Sequence, residues 1–155
     1  MSPDLLDEIR QQKQFASLAE AAFLNVGRTM SMLEAGLERV LKPYGISTTQ
    51  YNVLRILRGA GSAGLCRNEI GDRLVTRMPD VTRLLDRMEV AGLVARQRDT
   101  KDRRLVTTRL TDKGEALVNQ LDAPIADSHQ RQLGHLGAER LQQIIELMSL
   151  IRNRG

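Results

Sequence analysis

A mostly α-helical fold with a small β-hairpin wing is predicted by three observations. Apolar residues recur at three and four toward both ends of the chain. Two short helical patterns stand close together in its middle. The period then turns strand-like in two runs around a charged loop. At 155 residues the length suits one domain with helical appendages. On this reading residues 1–155 are a single domain in which segments 5–45 and 111–153 flank a central lobe, 47–110.

From Leu5 to Leu41 the positions Leu18, Ala22, Val26, Met30, Leu33, Leu37, Val40 and Leu41 have the spacing of one or two amphipathic helices. Pro43-Tyr44-Gly45 ends the run, because proline cannot continue a helix and glycine takes the reversed backbone. Ser47-Thr48-Thr49-Gln50 has capping-box spacing and opens a helix through Tyr51, Val53, Leu54, Ile56 and Leu57. Residues 59–64 hold three glycines and read as a loop. Helical patterns at Cys66–Leu74 and Met78–Ala91, joined by Val75-Thr76-Arg77, have helix-turn-helix spacing. Pro79 fits the first turn of the second helix, giving it about four turns, and Gly92 closes it.

After Gly92, residues 93–98 and 105–110 alternate as strands around Asp99-Thr100-Lys101-Asp102-Arg103-Arg104, which makes a two-stranded wing. Thr111-Asp112 caps a helix toward Gln132 that Pro124 kinks or interrupts, with Gly134 and Gly137 at its end. Leu141, Ile144, Ile145, Met148 and Ile151 share a face of the last helix. The terminal helices are read as a subunit interface, the alternative being that they cover their own monomer's core. The fold expected is thus a winged helix-turn-helix flanked by N- and C-terminal dimerisation helices.

Composition narrows the function. Residues 66–113 hold 12 of the 23 Lys and Arg but only 8 of the 19 Asp and Glu, so this stretch carries the whole net charge of +4. A basic excess confined to one region is what a nucleic acid requires. The aromatics Phe15, Phe23, Tyr44 and Tyr51 all lie outside it, leaving no platform on which unpaired bases stack, and double-stranded DNA is the expected partner. No segment reaches the ~18 apolar residues of a membrane helix, and Met1–Arg10 lacks a signal-peptide pattern. A cytoplasmic protein without membrane association is expected. The single cysteine, Cys66, excludes an intrachain disulfide and a multi-cysteine zinc site. His129 and His135 share no helical face, so metal binding with Asp127 or Glu115 is not expected, and neither is any cofactor. No nucleophile motif or phosphate loop supports an enzyme.

The order of elements and two motifs resemble the MarR (multiple antibiotic resistance regulator) family, from about Phe15 to Asn153. The motifs are Asp80-Val81-Thr82-Arg83-Leu84-Leu85-Asp86-Arg87-Met88-Glu89 with Gly92-Leu93-Val94, and Asp99-Thr100-Lys101-Asp102-Arg103-Arg104 running into Leu110-Thr111-Asp112-Lys113-Gly114. Thr100 and Lys101 stand where the family usually has Pro and Arg, and Pro79 replaces a small polar residue. The resemblance implies a homodimer with interleaved terminal helices and two winged lobes. It implies a repressor released by a small aromatic or anionic effector, or by thiol oxidation.

Arg77, Asp80, Thr82 and Arg83, near the start of the second helix, are expected to face the major groove. Arg87 is a phosphate contact or a structural pair. Arginines 83 and 87 can alternatively pair with Asp80, Asp86 and Glu89 on a solvated face. Lys101, Arg103 and Arg104 at the wing tip suit a minor groove, while Asp99 and Asp102 pair with wing or recognition-helix arginines and hold the hairpin. Thr48, Thr49, Gln50 and Arg67, at helix starts, are candidate phosphate contacts. Phe23, Arg28, Tyr44 and Tyr51 are candidates for an effector pocket, or ordinary core and surface. Cys66 is either a dipole-activated thiol or a small filler at a position suited to Thr or Ser. The leading function is sequence-specific repression at an inverted repeat with half-sites ~34–36 Å apart. Its rivals are a winged-helix protein-interaction module and a non-specific architectural DNA-binding protein.

Overall fold

The computed structural model describes residues 4–153; the ends of the 1–155 domain assignment lie outside the described residues. The chain divides into two compact units, Met1–Gly36 and Leu37–Gly155. The first contains helix α1 (Leu5–Glu8) and most of α2 (Leu18–Leu41), so the amphipathic N-terminal run is two helices. On α2 the apolar side chains of Leu18, Phe23, Val26, Met30 and Met32 are exposed.

The second unit holds the core. A 3-10 turn at Lys42–Tyr44 ends at Gly45, whose φ of 71° is the left-handed conformation glycine tolerates. Helix α3 (Thr48–Ala60) starts with the full capping box: the Gln50 N–H donates to Ser47 Oγ at 3.1 Å and the Ser47 N–H to Gln50 Oε1 at 3.0 Å. Helices α4 (Arg67–Arg73) and α5 (Val81–Val90) follow, then strands β2 (Val94–Arg98) and β3 (Val106–Leu110), and helices α6 (Asp112–Leu133) and α7 (Gly137–Arg152). Val53, Leu54 and Leu57 of α3 pack with Ile70 of α4, Leu85 and Met88 of α5, and Val118 and Leu121 of α6 in one buried cluster. The period-3.6 positions of four helices thereby share a single core.

Three sequence expectations are corrected. The sheet has three strands in the order β1-β3-β2, because Leu65–Cys66 forms a short β1 paired antiparallel with Thr108 and Thr107. Two residues are too few for alternation to register. Their approach depends on Gly64, with φ 67°, where a Cβ would stand 2.6 Å from the Thr108 carbonyl oxygen. The recognition helix begins at Val81 rather than Met78 and has ten residues. Asp80 is its N-cap and Pro79 lies before it, since an aspartate cap outcompetes proline at the first helical position. The turn from α4 to α5 is therefore Leu74–Asp80 rather than three residues. Helix α6 runs through Pro124 without interruption.

Helix α7 buries none of its residues; Ile144, Ile145, Leu147, Leu150 and Ile151 are all exposed. No helix among the described residues is long and apolar enough to cross a membrane.

Candidate nucleic-acid interface

The recognition helix offers its first turn to solvent. Leu84, Leu85 and Met88 face the core, leaving Thr82, Arg83, Asp86 and Arg87 exposed. Asp80 accepts the Arg83 N–H at 2.9 Å, so this carboxylate holds the helix start in addition to any outward role. Arg77 is exposed in the turn, which is itself pinned by Asn52, whose Oδ1 accepts the Val75 N–H at 2.8 Å. Thr82 does not stand alone: Arg67 Nη1, from the first turn of α4, donates to its Oγ1 at 3.0 Å. The Thr82 hydroxyl proton is then left to point elsewhere.

The wing folds around its aspartates. Asp99 Oδ1 accepts the N–H groups of Lys101 (2.7 Å) and Asp102 (3.4 Å), and Asp102 Oδ1 accepts that of Arg104 (3.0 Å). These local side-chain to backbone bonds build the turn. The expectation that Asp99 and Asp102 pair with arginine side chains is thereby corrected: short carboxylates beside free backbone N–H groups find those donors first. Lys101, Arg103 and Arg104 are exposed, and among the described residues none of them forms an ion pair.

The helix and the wing are joined by Arg96, which sequence reasoning missed. Its Nη2 lies 2.6 Å from Asp86 Oδ1 and 2.9 Å from Glu89 Oε1, and its N–H donates to Glu89 Oε2 at 3.1 Å. The Arg96 hydrogen bonds hold the Glu89 carboxyl below its ordinary range, and the same bonds hold the guanidinium above its own. A signal was present. Arg96 is two residues from buried Val94 and so shares the inner face of β2, while Asp86 and Glu89 are three apart on α5. The charge pairing between helix and wing runs opposite to the expected direction, with carboxylates on the helix and the cation on the strand. Arg83 and Arg87 form no ion pair among the described residues.

One cleft of about 280 Å³ brings together the predicted residues Thr82, Arg67 and Arg104, with Cys66 and Arg96 also lining it. A groove along the α4–α5 turn gathers Arg67, Arg77, Asp80 and Thr82. The cleft and the groove share Arg67 and Thr82, so Arg104 of the wing and Arg77 of the turn line adjoining surfaces, the groove also holding Asp72 and Asp80. Cys66 is half-buried at the N-cap of α4. Its N–H donates to Glu69 Oε2 at 2.8 Å, and this bond pulls the Glu69 carboxyl below its usual range. Thr48, Thr49 and Gln50 are half-buried, with the Gln50 amide oxygen engaged by Ser47. Tyr51 is buried and its phenol oxygen accepts from Arg55 Nη1 at 3.2 Å; Tyr44 packs against the same core. Phe23 and Arg28 belong to the first unit, where Phe23 is 78% exposed. Among the described residues no group of three His, Cys, Asp or Glu is arranged to hold a metal ion.

Comparison with known proteins agrees with this geometry. The model of the MarR family matches residues 46–106, the stretch from the start of α3 to β3. A MarR transcription factor from Planctomyces limnophilus is 42% identical over 88% of this chain and 99% of that one, with a TM-score of 0.68. A mutant MarR from E. coli, complexed with operator DNA, is 25% identical over 96% of this chain and 99% of that one, with a TM-score of 0.75. The S. aureus MepR–DNA complex shares the fold, at 24% identity, 83% and 95% coverage and a TM-score of 0.75.

Proposed function

Since this chain belongs to the MarR family of transcription regulators, we propose that it is a sequence-specific DNA-binding repressor that acts as a homodimer on an inverted-repeat operator. The observation that carries this reading is the set of exposed cations without ion-pair partners among the described residues at the start of α5 (Arg83), in the α4–α5 turn (Arg77) and at the wing tip (Lys101, Arg103, Arg104). In this reading Arg83 and Thr82 read base edges, an arginine by two hydrogen bonds to guanine and the threonine by its free proton or its methyl. Arg77 stands beside them. Lys101, Arg103 and Arg104 reach phosphate or the minor groove, where the potential is most negative. Arg87, Arg67 and the α3 start (Thr48, Thr49, Gln50) make the backbone contacts that set the register in this reading. A relative of the same fold crystallised with operator DNA supports the mode.

The homodimer is inferred from α7, whose exposed row of Ile and Leu is unfavourable in water and is covered by a second copy. Release by a small aromatic or anionic effector completes the reading. Tyr44, Ile46, Leu93 and Leu117 are among the residues lining a cleft of about 360 Å³, and their apolar surface suits the aromatic part of such a molecule. The test is selection of duplexes from a randomised pool followed by footprinting. Two protected half-sites related by inversion are expected, about one helical turn apart. Protection of one asymmetric half-site contradicts the dimeric mode.

A further inference from the structure

The motif Leu110-Thr111-Asp112-Lys113-Gly114 belongs to neither the DNA-facing helix nor the wing tip. It lies where the far end of α5 meets the start of α6. Helix α5 closes through Gly92 (φ 74°), with the Gly92 N–H on the Glu89 carbonyl and the Leu93 N–H on that of Met88. The carbonyls of Ala91, Gly92 and Leu93 are then all satisfied from the first turn of α6. Lys113 Nζ donates to Ala91 O at 2.8 Å, Thr111 Oγ1 to Gly92 O at 2.6 Å, and the Thr111 N–H to Leu93 O at 3.2 Å. Thr111 Oγ1 also accepts the Gly114 N–H at 3.1 Å, so one hydroxyl caps α6 and ties it to α5. Gly114 is buried, and a Cβ there would overlap the Leu93 carbonyl oxygen, a backbone atom that cannot swing aside. The ammonium of Lys113 adds a cation to the negative end of the α5 dipole.

We infer that Thr111, Lys113 and Gly114 are positioning residues for operator recognition: they fix the angle of α5 against α6, and thereby the spacing at which two lobes of a dimer meet their half-sites. The inference rests on the DNA-binding homodimer proposed above. Its basis is that the three residues act at the end of α5 opposite the reading end, ~15 Å away along a ten-residue helix. A change in recognition on altering them therefore comes from the angle of the helix. With three hydrogen bonds and a close backbone approach, α5 cannot swing about this end without breaking the joint.

The experiment compares wild type, Lys113→Met, Lys113→Arg and Gly114→Ala as full-length dimers. They are titrated with the selected operator, with the same half-sites moved one base pair apart or together, and with a scrambled duplex. The wild type is expected to prefer the native spacing. In Lys113→Met and Gly114→Ala that preference falls about threefold to tenfold, the worth of a hydrogen bond, while scrambled-duplex affinity and salt slope stay unchanged. Lys113→Arg, which keeps the cation, restores it. A folded variant with wild-type spacing preference overturns the inference. So does an equal loss on every duplex, which places the effect in the fold or in phosphate contacts. If Gly114→Ala does not fold, Lys113→Met decides, its side chain being exposed. Failure of the wild type to bind any duplex is a distinct result: it overturns the DNA-binding reading, and the positioning role with it.

Discussion

Arg83, Arg103 and Arg104 are exposed cations without ion-pair partners among the described residues, and what separates them is what they can reach. An arginine that bonds two acceptors of a guanine is worth ~1–3 kcal/mol of discrimination. Arg83→Ala is therefore expected to relax the preference at one base pair, seen by titrating operators changed singly at each position; a uniform loss over all positions contradicts base reading. Arg103→Ala or Arg104→Ala is expected to weaken all duplexes alike and to lower the salt slope by about 1. An unchanged slope removes that side chain from the interface. Residue types and approximate positions were legible because lysine and arginine at a hairpin tip have no packing role. The partners of the acidic residues were not. Asp80, Asp99 and Asp102 all bind backbone N–H groups, and a spacing read only for charge pairs does not count backbone donors. Arg67 and Thr82 meet across fifteen residues of chain, a contact that only the packing of α4 on α5 creates.

At the scale of elements, α3, α5 and α6 were legible from their apolar period, and the caps Ser47 and Thr111 from residue type. Strand β1 was not, since a two-residue bridge has no pattern and exists only through its pairing with β3. The start of α5 moved because proline and aspartate compete for the same boundary. The packing of α3 on α6 is fastened by Arg58, whose two terminal nitrogens each lie 2.8 Å from an Asp122 oxygen, with Asn119 on the first. That hydrogen bond depresses the Asp122 carboxyl in the folded state. A group with a depressed folded pKa contributes stability that is complete above its unfolded pKa and is lost as pH falls through the folded one. Asp122→Asn is thus expected to lower the thermal midpoint at neutral pH, and the gap from wild type to close as both are acidified below the usual carboxylate range. A gap that persists in acid contradicts an ionic origin.

At the scale of the whole molecule, α7 leaves Ile144, Ile145, Leu147, Leu150 and Ile151 facing solvent, the kind of apolar face on which the proposed dimer rests. Ile144→Glu together with Leu150→Glu is expected to convert a dimer into monomers in sedimentation velocity and to weaken operator binding far more than binding to one half-site. Dimers that survive both changes contradict the role given to this face. The apolar stripe of α7 was readable from its period; what covers it was not, since periodicity describes one face at a time. The account's central claim, that the basic surface of α5, turn and wing recognises a specific duplex sequence, is tested most directly by fluorescence anisotropy of the full-length protein. The enriched duplex and a scrambled one of equal length are titrated at two salt concentrations. Binding at least ~10³-fold tighter to the enriched duplex at both salts is the predicted result. Equal affinities, falling together as salt rises, would contradict it.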